Sequence, residues 1–95
     1  MTLCGSLRLG REFWDQTARK LIINGYIVLK PDFCFSKDEE EMFKQKLNLM
    51  HRQKIDMSDE IFVINKDGYI GESTRAEIEY TKRKGKKISY LSPLS

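Results

Sequence analysis

Four short apolar runs alternate with three stretches of helical periodicity along this chain. The first run, Thr2-Leu3-Cys4, closes on Gly5-Ser6 and reads as a strand ending in a turn. Phe13, Trp14, Thr17, Ala18, Leu21 and Ile22 then recur on one stripe, with Arg11, Glu12, Asp15, Arg19 and Lys20 opposite. That spacing predicts an amphipathic helix, and Asn24-Gly25 suits its C-terminal stop. Tyr26-Ile27-Val28-Leu29 is apolar without alternation, the pattern of a strand covered on both faces, and Lys30-Pro31 ends it. Phe33-Cys34-Phe35 continues as loop. Ser36, with Glu39 three residues on, opens a second helix by a capping box, and Asp38 to Glu41 suit the positive end of its dipole. Met42, Phe43, Leu47 and Met50 make its expected buried stripe, and the helix fades across His51 to Met57.

The stretch from Asp59 to Tyr80 organises the rest. Ile61-Phe62-Val63-Ile64 is a β-branched strand, Asn65 to Gly71 a glycine-punctuated turn, and Ser73 to Lys84 a third helix capped by Gly85. Two readings of this stretch compete. Asn65-Lys66-Asp67-Gly68 also suits a β-hairpin turn, with Ala76, Ile78 and Tyr80 alternating as a second strand would. Thr74 as N-cap would make Glu77 the partner in a capping box, with no further role. Ile88-Ser89-Tyr90-Leu91 is a fourth strand, ended before Pro93. The order β-α-β-α-β-α-β predicts an α/β fold of the Rossmann or flavodoxin-like kind. Its expected form is a four-stranded parallel sheet of order 2-1-3-4, helices on both faces and right-handed crossovers. The switch point then falls between strands 1 and 3, so Gly5 to Arg8 and Asn65 to Glu77 converge on one crevice.

Composition narrows the function classes. The 95 residues read as a single domain, with 40% hydrophobic and 33% charged residues and a net charge of +3. A core this small makes burial against a second copy a reasonable supplement. The cationic run Lys82-Arg83-Lys84-Gly85-Lys86-Lys87 suits a solvated helix end, and no nucleic-acid signature accompanies it. The cysteines, Cys4 and Cys34, are distant in sequence and accompany one histidine; their spacing is no metal motif, and both read as buried or semi-buried thiols of a reducing compartment. No run approaches membrane-spanning length and the start is not that of a signal peptide, so a cytoplasmic protein is expected.

Three blocks together resemble a family. Leu3-Cys4-Gly5-Ser6-Leu7-Arg8 is similar to the loop after strand 1 of 2′-deoxynucleoside 5′-phosphate N-hydrolases and nucleoside 2-deoxyribosyltransferases. Ser58 to Ile64 resembles their third strand. Gly71-Glu72-Ser73-Thr74-Arg75-Ala76-Glu77-Ile78, followed by Gly85-Lys86, resembles their helix and the Gly-Lys before their last strand. The resemblance spans nearly the whole chain. It implies that Glu77 attacks the anomeric carbon of a deoxyribosyl group to form a covalent glycosyl-enzyme, which water or another base resolves. It assigns Gly5, Ser6, Arg8, Asn65, Gly71, Ser73 and Thr74 to substrate binding, with Gly5 and Gly71 letting backbone approach the ligand. The second catalytic acid falls at His51, with Asp56 nearer the strand. It implies a nucleoside or nucleotide substrate, no cofactor or metal, and a homodimer or larger homo-oligomer. The competing reading is a non-catalytic nucleotide-binding or sensing module on the same fold. Arg8 has a plainer alternative, pairing with Glu12 one turn on.

Overall fold

The computed structural model describes residues 1–32 and 34–92, so the readings of Phe33 as loop and of Pro93 as a stop lie outside the described residues. Strand β1 (Thr2–Gly5) is followed by a 3-10 turn at Leu7–Leu9 and helix α1 (Arg11–Ile23). Helices α2 (Lys37–Met42) and α3 (Lys44–Asp56) come next. Strand β2 (Glu60–Ile64), a 3-10 turn at Lys66–Gly68, helix α4 (Glu72–Arg83) and strand β3 (Lys87–Tyr90) complete the order.

The sheet is parallel, with three strands in the order β1-β2-β3. This corrects the expected four-stranded sheet of order 2-1-3-4. The run Tyr26 to Leu29 lies along β1 but makes one isolated bridge, Thr2 to Leu29, and no strand. Leu29 exchanges backbone hydrogen bonds with Met1 and Leu3, while Ile27 is 82% exposed. Pro31, two residues on, has no N–H to continue a ladder, and the residue before a proline is conformationally restricted. Continuous apolarity therefore marked a partly exposed edge segment, not a strand buried on two faces.

Side chains alternate across the strands and build two separate cores. Leu3 and Ile64 pack with Trp14 and Ala18 of α1. Cys4, Ile61 and Val63 pack with Ile55 of α3 and Ile78 of α4 on the other face. Helices α1 and α4 stop in Schellman motifs: Tyr26 N–H donates to Leu21 O at 3.1 Å, and Lys86 N–H to Thr81 O at 3.2 Å. Gly25 and Gly85 supply the positive φ those motifs need, 94° and 69°.

The second helix departs from expectation in three ways. Its capping box forms as read, with Glu39 N–H donating to Ser36 Oγ and Ser36 N–H to Glu39 Oε1. It then breaks at Phe43, and the chain restarts as α3, which runs unbroken through His51 to Asp56. The expected stripe is not buried, for Met42 is 75% and Met50 41% exposed; Ile55 is the buried anchor instead. Cys34 is likewise exposed where a buried or semi-buried thiol was expected.

Candidate functional site

Three elements bring Cys4, His51 and Glu77 together. On β1 the alternation that sends Leu3 toward α1 sends Cys4 to the opposite face. On α3, His51 lies four residues before the fully buried Ile55 and shares its inward stripe. On α4, Glu77 lies three residues after the buried Thr74 and four before the buried Thr81, so its side chain leaves the same inner face. Thr81 Oγ1 also donates to Glu77 O at 2.7 Å, holding that turn of helix.

The result is a tight polar group against an apolar layer. His51 Nε2 lies 3.0 Å from Glu77 Oε2 and 3.5 Å from Cys4 Sγ. The side chains of His51 and Glu77 are 13% and 17% exposed, so the group is screened from water but reachable. The contact between Nε2 and Oε2 is a close approach without hydrogen-bond geometry: Oε2 and His51 Nδ1 are both buried and have no hydrogen-bond partner. Burial pushes the Cys4 thiol well above its ordinary range, and the neighbouring Glu77 carboxylate pushes it further by its charge and by a hydrogen bond. Cys4 is therefore a thiol at neutral pH and a poor nucleophile, since the thiolate is the reactive form.

Glu77 does not sit where a capping box would put it. Helix α4 starts at Glu72 with Gly71 as its N-cap, and Gly71 O accepts from Arg75 N–H at 3.0 Å. Thr74 is buried inside the first turn, and Glu77 belongs to the second. Both the capping-box reading and the hairpin reading of this stretch are thus corrected. Glu77 is left with no partner in its own N-terminus and faces Cys4 and His51 instead.

The loops expected to converge do leave neighbouring strands, since Gly5 pairs with Ile64 in the parallel register. Lys66 Nζ stands 5.0 Å from the centre of the Phe13 ring, joining the second loop to α1. Ser6 caps the 3-10 turn, accepting from Arg8 N–H at 3.2 Å, and its carbonyl accepts from Trp14 Nε1 at 3.1 Å. Arg8 and Ser73 are exposed. Glu12 accepts from Gln16 in place of Arg8. Asn65 is fully buried, and its amide is taken at both ends by Ser92, donating to O at 3.0 Å and accepting from N–H at 2.8 Å. A Cβ on Gly5 would meet Ile64 O at 3.1 Å and Trp14 Cζ2 at 3.4 Å, so this glycine serves close packing. A Cβ on Gly71 would meet the Tyr69 side chain at ordinary contact distance. Asp56 accepts a 2.6 Å hydrogen bond from Tyr80 Oη and stands apart from the Cys4 group.

Cys4 was missed as a site residue because it is grouped by folding and not by spacing. The one sequence signal was its position directly before the Gly-Ser turn. Lys86 was also undervalued: its ammonium donates to the carbonyls of Asp56 and Ser58, fastening β3 to the entry of β2. The chain matches no protein-family model, no curated protein and no solved structure.

Proposed function

We propose that this chain cleaves or exchanges the N-glycosidic bond of a nucleoside or nucleotide, with Glu77 as nucleophile. One observation carries the reading: a partly screened carboxylate whose Oε2 lies 3.0 Å from the His51 imidazole, on elements that pack beside two adjacent parallel strands. Open parallel sheets bind ligands at the carboxyl end of the strands.

A Glu77 oxygen attacks the anomeric carbon, and the bond to the base nitrogen breaks with its electron pair leaving on the base. Protonated His51 gives its proton to the departing base. Neutral His51 then takes a proton from water, whose oxygen displaces Glu77 from the sugar and restores the carboxylate. A 5′-phosphate, where the substrate has one, would find the exposed Arg8 and Ser73 and the N–H groups at the start of α4.

The test is release of free base from deoxynucleoside monophosphates, measured for the wild type, Glu77→Gln and His51→Gln. The expected result is loss of at least about a thousandfold for Glu77→Gln and about a hundredfold for His51→Gln, the usual scale for a nucleophile and a general acid. Release unchanged in Glu77→Gln would refute the nucleophile. Binding of the nucleotide without release would support the sensing module in place of the enzyme.

A further inference from the structure

We propose that Cys4, His51 and Glu77 form a binding site for one zinc-like divalent cation. The three donors are a soft sulfur, an imidazole nitrogen and a carboxylate oxygen; zinc takes each of these ligand types, and its sites with three protein ligands leave a fourth position for water. One ligand atom from each lies within 4.8 Å of the others.

The spacing suits a single ion. Zinc bonds of about 2.3 Å to sulfur and about 2.0–2.1 Å to nitrogen give a tetrahedral S···N edge of about 3.6 Å. The observed Cys4 Sγ to His51 Nε2 distance is 3.5 Å. The corresponding N···O edge is about 3.3 Å, and the observed His51 Nε2 to Glu77 Oε2 distance is 3.0 Å. Opening that contact by a few tenths of an ångström brings this edge to the tetrahedral value, and the third edge, from Cys4 Sγ to the Glu77 carboxylate, lies within 4.8 Å.

Charge and bonding point the same way. Buried Glu77 Oε2 has no hydrogen bond, although it lies beside a ring nitrogen. A cation placed between the three atoms would take the Glu77 Oε2 lone pairs that no hydrogen bond uses. The thiol gives its proton to solvent on binding, leaving a thiolate, a carboxylate and a neutral imidazole. Two negative charges against one divalent ion make a neutral group, the cheapest charge state in a site walled by Ile55, Ile61, Val63 and Ile78. His51 and Glu77 remain partly exposed, which gives the ion a way in and water the fourth position.

The inference does not rest on glycosidic chemistry. It has a consequence for it: a carboxylate engaged by the ion cannot attack a sugar, so occupancy by metal and turnover exclude one another.

Titration of tag-free, metal-stripped protein with Co²⁺ tests the proposal without any substrate. The expected result is one equivalent bound, with a thiolate-to-cobalt charge-transfer band and intense visible bands of tetrahedral cobalt, both bleached by Zn²⁺. Cys34→Ser should keep every band, and Cys4→Ser should lose the charge-transfer band. His51→Gln and Glu77→Gln should each weaken Co²⁺ binding at least about tenfold, the least that losing even an outer-shell partner of a metal site costs. Far-ultraviolet circular dichroism identifies variants that keep the fold, and Cys4→Ala stands in for Cys4→Ser should the latter unfold. No bands at stoichiometric Co²⁺, or bands that depend on Cys34, would overturn the proposal. Base release assayed in chelator reads the catalytic proposal separately, so the failure of one is distinct from the failure of the other.

Discussion

The two faces of the sheet are built from the same strands and do different work. Toward α1, Leu3, Trp14, Ala18 and Ile64 form a layer without a titratable side chain. Toward α3 and α4, the residue after Leu3 is Cys4, and its neighbours include His51 and Glu77. A one-residue step along β1 thus separates a packing surface from a polar group held close to apolar walls. Polar atoms that lie buried without hydrogen bonds are costly, and they persist where the surrounding fold is stable enough to hold them. The α1 face supplies that stability.

The largest expected effect tests this division. Trp14 is fully buried and its ring N–H donates to Ser6 O. Trp14→Ala should cost about 3–5 kcal/mol in denaturant unfolding, the range for emptying a large aromatic site. That is a large share of the stability of a domain this size, about 5–15 kcal/mol at most. Glu77→Gln should change stability far less. A loss under about 1 kcal/mol in Trp14→Ala, set against the same range, would mean that the α1 face is not the stabilising one.

Gly5 lies between the two readings of this edge and separates them. The resemblance reserves its missing Cβ for a ligand; in the fold the space belongs to Ile64 and Trp14. Gly5→Ala should therefore destabilise by about 1–3 kcal/mol, the usual effect of forcing a methyl into a packed site. A variant with unchanged unfolding but no nucleotide binding would return Gly5 to the ligand.

What was legible in the sequence followed from local chemistry. The Ser36–Glu39 box, the Asn24-Gly25 and Gly85 stops, and the alternation of apolar runs with helical stripes each act within a few residues. The α/β character and the parallel pairing of the Thr2 and Ile61 runs follow from them. What was not legible depended on partners distant in sequence. Tyr26 to Leu29 looks buried until the far side of that segment is seen to be open. Phe43 looks like one more stripe position until the helix is seen to break there. Glu77 looked like a cap partner because Thr74 was free to be an N-cap; the helix already starts at Glu72 with Gly71 as its N-cap, so Thr74 is its third residue and Glu77 lies a turn further on. The Cys4 group draws one residue from each of three elements, and no spacing rule connects them.

The smallest expected effect concerns pH and belongs to the polar face alone. Cys4 is raised by burial and by Glu77, so in the folded chain it holds its proton above the pH at which an unfolded cysteine, near 8.5, would lose it. Folded protein then binds more protons than unfolded protein in alkali. Stability therefore falls as pH rises, because the term is full below the unfolded value and drains away above it. Unfolding midpoints measured from pH 7 to pH 10 should decline more steeply in the wild type than in Cys4→Ala. Cys34 is exposed and serves as the reference thiol for labelling. Thiol labelling gives the same contrast as a rate: at neutral pH Cys34 should react promptly and Cys4 only on unfolding. Equal labelling of both thiols in native protein would place Cys4 outside the screened group, and the division between the two faces would then fail at the strand where it begins.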